Sequence, residues 1–173
     1  ATWRIVPVLQ RHQSLKRAAH FLKASKDKFH VPYVDIRDVL DQPDVSARSW
    51  LEQSRLEDAL QNAFKAVEAI IGDPPRDDRK LAAKLRQHGL EPLTSIGCVT
   101  KRPLQDAIRL MNRTRDTRAA HGSTEHRKLT VGEMLDFQHC AYEVVLGAIE
   151  NVLGESIFPR AAAADGPGQG KPS

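Results

Sequence analysis

Cysteine is scarce in this sequence, which has only Cys98 and Cys140 among 173 residues. Neither belongs to a CxxC pair, and two isolated thiols cannot build the disulfide framework of a small secreted domain. We expect both to be reduced, with Cys140 buried on a helix. The chain also lacks an HExxH motif and a carboxylate cluster at metal-binding spacing, so the sequence predicts neither a metal nor another cofactor.

Long hydrophobic runs are missing as well. No apolar stretch approaches the ~20 residues that a membrane-spanning helix needs. The first four residues, Ala1 to Arg4, lack the basic start, apolar stretch and small-residue cleavage site of a secretory signal. These absences predict a cytoplasmic protein without a membrane segment, or a fragment trimmed from a longer protein.

Aromatic residues make up 5% of the chain, so no platform for stacking single-stranded bases is evident. Trp3, Trp50 and Phe64 are interpreted as packing residues. The 26 Lys and Arg against 22 Asp and Glu give a net charge of +4. This excess tolerates a polyanionic partner without requiring one, and on charge alone a solvated basic surface is the better explanation.

Helical periodicity dominates the second half of the sequence. Between Arg48 and Ile71 the apolar residues form one continuous stripe, which the run Gly72-Asp73-Pro74-Pro75 stops. Asp77 or Asp78 is a suitable cap for a second helix that ends near Gly89.

Two more helices follow. The third is predicted to start at Thr100 to Pro103 and to carry Leu104, Ile108 and Met111 on its inner face. The fourth opens with the reciprocal capping pattern of Thr130 and Glu133, and it ends at Gly154. Amphipathic helices joined by short connections predict an all-α fold, an antiparallel bundle of four main helices.

The two ends of the chain have a different character. A short helix is predicted from Ser14 to Lys23, and residues 29–34 are extended, either as a strand or as a linker. We therefore divide the chain into an N-terminal helix and extended segment (1–45), the bundle (46–158) and a disordered Ala, Gly and Pro-rich tail (159–173).

The run from Arg115 to Gly122 has the clearest chemical content. Arg115 continues the inner stripe of the third helix, so its donors need a carboxylate or an outside anion as partner. His121 lies six positions later, about 120° around an ideal helix. The two side chains converge only if the helix ends near Gly122, which a glycine favours.

This run resembles the signature of the HEPN superfamily, an arginine followed by a polar residue and, after four to six intervening residues, a histidine. Arg115, Asp116 and His121 fit it, with five residues between arginine and histidine. The long first helix, with its sequence Ala63 to Ala69, is also typical. The resemblance extends from about Trp50 to Gly154.

The resemblance implies a helical homodimer whose two motifs face a shared cleft and, in many members, a metal-independent endoribonuclease. His121 would assist attack of a ribose 2′-hydroxyl on the adjacent phosphate, Arg115 would stabilise the transition state, and Asp116 would orient or polarise the site. Other members are inactive RNA-binding or dimerisation modules. Many serve in toxin-antitoxin or phage-defence systems, and a nucleotidyltransferase-type antitoxin is a possible partner.

Structural explanations compete with these roles. Arg115 is equally expected to form a salt bridge with Glu68 or Asp116, and His121 to interact with the end of its helix. Arg109 and Arg113 are expected to point outward. The candidate RNA-binding residues around the motif are Arg113, Arg118, His126, Arg127 and Lys128. The remaining histidines are interpreted as surface or structural residues.

Overall fold

The computed structural model describes residues 2–30, 41–42, 50–119 and 128–157, and over these ranges the chain is mostly helical, as predicted. The described elements, in chain order, are α1 (Thr2–Arg11), α2 (Gln13–Lys28), α3 (Trp50–Ile71), α4 (Asp78–Gln87), β1 (Ser95–Ile96), β2 (Arg102–Pro103), α5 (Leu104–Ala119) and α6 (Val131–Leu153).

The predicted helix ends of α4 and α6 are confirmed. Asp77 caps α4, with its Oδ1 accepting a hydrogen bond of 2.8 Å from the backbone N of Lys80. Thr130 and Glu133 form the reciprocal capping box of α6. Gly154 ends that helix with a φ of 69°, a left-handed conformation that glycine adopts without strain.

The N-terminal part is more helical than its sequence predicts. A single helix over residues 14–23 was expected, whereas α2 runs from Gln13 to Lys28 and a further helix, α1, precedes it. Pro7 lies inside α1, where proline removes a helical hydrogen bond. Local sequence therefore disfavours α1, and the burial of Val8 in the core explains why it forms.

The core is built around α3, which packs against α2, α5 and α6. The inner side of α3 is buried, and Val8, Leu15 and Ala18 from the first two helices belong to the same core. The side chains of α3 with 0% exposure are Ala59, Ala63, Phe64, Ala66 and Val67. No helix of the described ranges is both long and apolar enough to span a membrane.

A buried polar junction ties α2, α3 and α6 together. Ser25 Oγ donates to the carbonyl oxygen of Ala59 at 2.7 Å and accepts from Gln138 Nε2 at 3.1 Å. The same Gln138 nitrogen also donates to the carbonyl oxygen of Phe29 at 3.0 Å. Since buried polar groups must be paired, these contacts fix how the three helices meet.

The connection between α4 and α5 contains a short antiparallel pair that the sequence did not predict. Ser95 pairs with Pro103 and Ile96 with Arg102, and residues 97–101, here called the 97–101 loop, join the strands. Because this loop takes up the residues expected to begin the third helix, α5 begins at Leu104.

The carboxylate of Asp136, on α6, holds the 97–101 loop. Its Oδ1 accepts from the backbone N of Cys98 and of Val99, each at 2.7 Å, and its Oδ2 accepts from that of Thr100 at 3.0 Å. Gly97 has a φ of 121°, and a Cβ there would lie 2.1 Å from the carbonyl oxygen of Thr100. The loop therefore requires both the glycine and the carboxylate.

Both cysteines are free thiols, as predicted. Cys140 is completely buried on α6, and burial is the main cause that raises its pKa. Cys98 is exposed in the 97–101 loop. Its pKa is also raised, first by partial burial and then by the charge of Asp136, so neither cysteine is an activated thiolate.

Candidate functional site

Arg115 lies near the end of α5 and turns toward the core, in line with Ile108 and Met111. Its side chain is 22% exposed. The guanidinium carbon sits 3.9 Å from the centroid of the Phe64 ring on α3, and that ring is fully buried. This geometry is a cation-π contact, which fixes the plane of the guanidinium against α3.

Two carboxylates complete the surroundings of Arg115, and they are the two that the sequence suggested. Nη1 donates to Glu68 Oε1 at 3.1 Å, while Nε and Nη2 both donate to Asp116 Oδ1, at 3.2 and 2.9 Å. Among the described residues, these bonds use three of the five N–H groups that a guanidinium carries. One N–H on each terminal nitrogen is left over for another acceptor.

The charge of Arg115 is permanent. Partial burial alone would lower its pKa, but the hydrogen bonds that Arg115 donates to Asp116 and Glu68, with the charges of these carboxylates, outweigh burial and raise the pKa above its usual value. Arg115 can therefore stabilise negative charge, and it cannot act as an acid or a base. Any proton transfer at this site must come from another group.

A polar groove of about 470 Å³ runs beside the motif, between the chain segment that precedes α4 and the outer face of α5. Asp116 is one of its lining residues, and the lining carries charges of both signs. The remaining charged lining residues are Arg76, Asp78, Asp106, Arg109 and Arg113. A groove of mixed charge of this kind provides hydrogen-bonding groups without a strongly positive field.

The two arginines expected to point outward behave differently. Arg113 is exposed, as predicted. Arg109 lines the same groove but is less exposed: its side chain is 26% exposed, and its Nε lies 2.6 Å from Asp78 Oδ1. The sequence did not predict this ion pair, because it joins residues 31 positions apart, a contact that helix periodicity cannot foresee.

Much of the rest of the predicted site lies outside the described residues. This applies to His121, His126 and Arg127, and to the side chain of Arg118. Lys128 is described and exposed. Of the predicted catalytic residues, Arg115 and Asp116 are described and lie in contact. Glu68 belongs to the same cluster.

His139 anchors the 97–101 loop from α6. Its Nδ1 accepts a hydrogen bond of 3.0 Å from the backbone N of Gly97, and its Nε2 lies 3.4 Å from Glu143 Oε1. Burial is the largest cause that lowers the pKa of His139, opposed by the charge of Glu143. The imidazole is thus neutral, with the proton on Nε2, because Nδ1 must accept.

This arrangement predicts a stability that depends on pH. Because the folded pKa of His139 lies below 6.5, the unfolded chain binds more protons as the pH falls. The contribution of His139 to the free energy of unfolding is complete above about pH 6.5 and is lost as the pH falls toward the folded pKa. Urea unfolding between pH 7.5 and 5.5 should show this decline. His139→Asn, whose Oδ1 takes the place of Nδ1 and can still accept from Gly97, should flatten it.

Two histidines serve as controls for this slope. His20 is exposed, so His20→Asn should leave the slope unchanged. The pKa of His88 is also lowered, mainly by burial and then by Lys84, so His88 contributes in the same direction and must be kept in all variants. A wild-type slope in His139→Asn would contradict the role given to His139.

Within the described part of the chain, no group of three or more His, Cys, Asp or Glu side chains is placed to hold a metal ion. Comparisons of the chain with family models, with curated proteins and with solved structures gave no match. The chemistry of Arg115 and its neighbours is therefore the basis for a functional proposal.

Proposed function

We propose that this chain is a HEPN-like endoribonuclease that cleaves RNA without a metal, using Arg115, Asp116 and His121. The observation that supports the proposal best is the state of Arg115. Two carboxylates and an aromatic ring hold this cation in one orientation at the end of α5, and, counted against the described residues, two of its N–H groups remain for an acceptor. A pre-oriented cation is what a developing phosphorane charge requires.

The proposed reaction divides the work between two residues. His121 accepts the proton of a ribose 2′-hydroxyl, whose oxygen attacks the adjacent phosphorus. The new bond joins O2′ to phosphorus, the bond from phosphorus to O5′ breaks, and the O5′ oxygen takes a proton from water, while His121 returns its proton to the solvent. Arg115 donates its remaining N–H groups to the non-bridging oxygens. Asp116 keeps the guanidinium in position.

The proposal also concerns architecture and partners. In it, α3, α4, α5 and α6 are the four helices of an antiparallel HEPN-like bundle, and two copies form a dimer whose motifs share a cleft. RNA is the substrate. A nucleotidyltransferase-type antitoxin would be the partner if the protein belongs to a defence system.

A cleavage assay in EDTA tests the proposal. Purified protein should cut single-stranded RNA in excess EDTA and leave 2′,3′-cyclic phosphate ends. Replacing the ribose on the 5′ side of the cut by 2′-deoxyribose should stop cleavage at that position, since the attacking hydroxyl is then missing. Absence of cleavage across varied RNAs, or equal cleavage of DNA, would rule the reaction out.

One observation favours a second candidate, a non-catalytic HEPN-like module for binding or dimerisation. Glu68 and Asp116 place two negative charges against the single positive charge of Arg115. Such a site repels phosphate unless other cations compensate. In this second proposal, the ion pairs of Arg115 serve to hold α3 and α5 together.

Glu68→Gln distinguishes the two candidates. The amide oxygen still accepts from Arg115 Nη1, but the negative charge is gone, so RNA should bind about fivefold more tightly if phosphate contacts Arg115. Fluorescence anisotropy with a labelled RNA measures this. Asp58→Asn, which removes an exposed charge from the same helix, is the matched control. Unchanged RNA affinity in Glu68→Gln would favour the non-catalytic module.

A further inference from the structure

A second cavity lies between α1, α2 and α6. None of its lining residues belongs to the motif. The cavity measures about 810 Å³ and shares no residue with the groove beside Arg115. The walls are aliphatic and come from all three helices: Ile5, Leu9, Ala19, Leu22, Val145 and Leu146. A volume of this size, between helices, is typical of sites for small apolar molecules.

The lining of this cleft also includes charged and polar side chains, namely those of Lys23, Lys26, Asp27 and His30. Lys23 Nζ lies 2.6 Å from Asp27 Oδ2, so these two charges compensate each other. Lys26 pairs with no carboxylate in the described ranges. Its Nζ lies instead 5.6 Å from the centroid of the Tyr142 ring.

Lys26 and Tyr142 together offer an anion two donors of different kinds. The ammonium group brings charge, and the phenol hydroxyl of Tyr142, a half-buried residue that also lines the cleft, brings a neutral O–H. The pKa of this phenol is raised, first by partial burial and then by Glu143 and Glu150. The hydroxyl therefore stays protonated and able to donate at neutral and moderately alkaline pH.

We propose that this cleft binds a long-chain carboxylate of the fatty-acid type. The unbranched chain lies against the aliphatic walls, and the carboxylate accepts hydrogen bonds from Lys26 and the Tyr142 hydroxyl. Charge complementarity supports this occupant, since the charges of Lys23 and Asp27 compensate each other and Lys26, on the same lining, pairs with no carboxylate in the described ranges. Because α1 forms a third wall, the cleft fits a slender chain better than a partner helix. A partner helix needs an open groove with two walls.

Isothermal titration calorimetry with decanoate, dodecanoate and tetradecanoate, each below its micellar concentration, tests the proposal on the full chain. Each added methylene buried in the cleft should tighten binding about two- to fourfold. Ala19→Phe fills the cleft from inside and should abolish binding while circular dichroism stays helical. This titration involves no RNA, so failure of the fatty-acid proposal leaves the RNA proposal untouched.

The head group is tested separately with dodecanol as the uncharged analogue. Lys26→Met should weaken dodecanoate binding about five- to tenfold and leave dodecanol binding unchanged. Lys65→Met is the matched control, because Lys65 Nζ also lies over an aromatic ring, 5.8 Å from the centroid of Phe21, but does not line the cleft. Lys26 and Lys65 are both exposed, so these two variants keep the proposal testable even if Ala19→Phe fails to fold.

Three results would overturn the proposal. One is the absence of binding for every chain length. Another is wild-type affinity in a folded Ala19→Phe, which would place the acid elsewhere. A third is an equal loss of acid and alcohol binding in Lys26→Met. If no acid binds and Ala19→Phe changes the mass found by sedimentation, the cleft is instead an interface between proteins.

Discussion

His121→Ala is expected to reduce RNA cleavage by about 10²- to 10⁴-fold, the range over which a positioned acid or base contributes. The reason is that Arg115 cannot replace it. The raised pKa of Arg115 keeps that side chain charged, so the 2′-hydroxyl loses its proton acceptor when the imidazole is removed. Initial cleavage rates in EDTA, with a 5′-labelled RNA, measure the effect.

His126→Ala is the matched control, because it removes an imidazole five positions further along the chain. It should change the rate by less than about fivefold, in keeping with a contact that assists binding only. If His121→Ala cleaves as fast as wild type, the proposed catalysis is wrong, and any activity comes from another site or from a contaminating nuclease.

Arg115 itself is a poorer probe of catalysis, for reasons visible in its contacts. Its removal would uncover Phe64 and leave Glu68 and Asp116 without their cation. Each of these changes lowers stability irrespective of RNA, because partly buried charges left without a partner are costly. Loss of activity in an Arg115 variant would therefore not separate chemistry from folding.

The sequence was most informative where structure depends on near neighbours. Asp77 and the pair of Thr130 and Glu133 form the expected caps because capping involves residues three positions apart. The inward direction of Arg115 follows from the same helical period that places Met111. Its two carboxylate partners were also expected, one adjacent in sequence and the other on the first long helix.

What the sequence did not predict depends on contacts between distant residues. The helix α1, with Pro7 inside it, exists because its apolar side packs on a core formed by much later residues. The pairing of Arg109 with Asp78 and the short strands are of the same kind. His139 and Asp136 hold a loop about 40 positions earlier, and nothing in the local sequence around either residue indicates this.

Asp136→Ala is expected to lower the free energy of unfolding by about 3 kcal/mol, because three backbone N–H groups lose a charged acceptor at once. Asp136 is 9% exposed, so water replaces its carboxylate only after the loop opens. Since the exposed loop can relax in this way, the loss should be smaller than the sum of three separate bonds.

Asp136→Asn should cause a smaller loss of stability by the same mechanism. One amide oxygen can still accept from Cys98 and Val99, but the charge is gone and an NH₂ group faces the N–H of Thr100, so about half of the loss should remain. Asp58→Ala, which removes an exposed carboxylate paired with Lys28, should stay within about 0.5 kcal/mol of wild type.

Urea unfolding followed by circular dichroism measures all three variants, and for a chain of this size the Asp136→Ala loss corresponds to a Tm about 6–12 °C lower. The result also bears on the motif. The loop that Asp136 holds leads directly into α5, whose far end carries Arg115. A stability of Asp136→Ala close to wild type would mean that the 97–101 loop does not depend on this carboxylate, and that core packing alone positions α5.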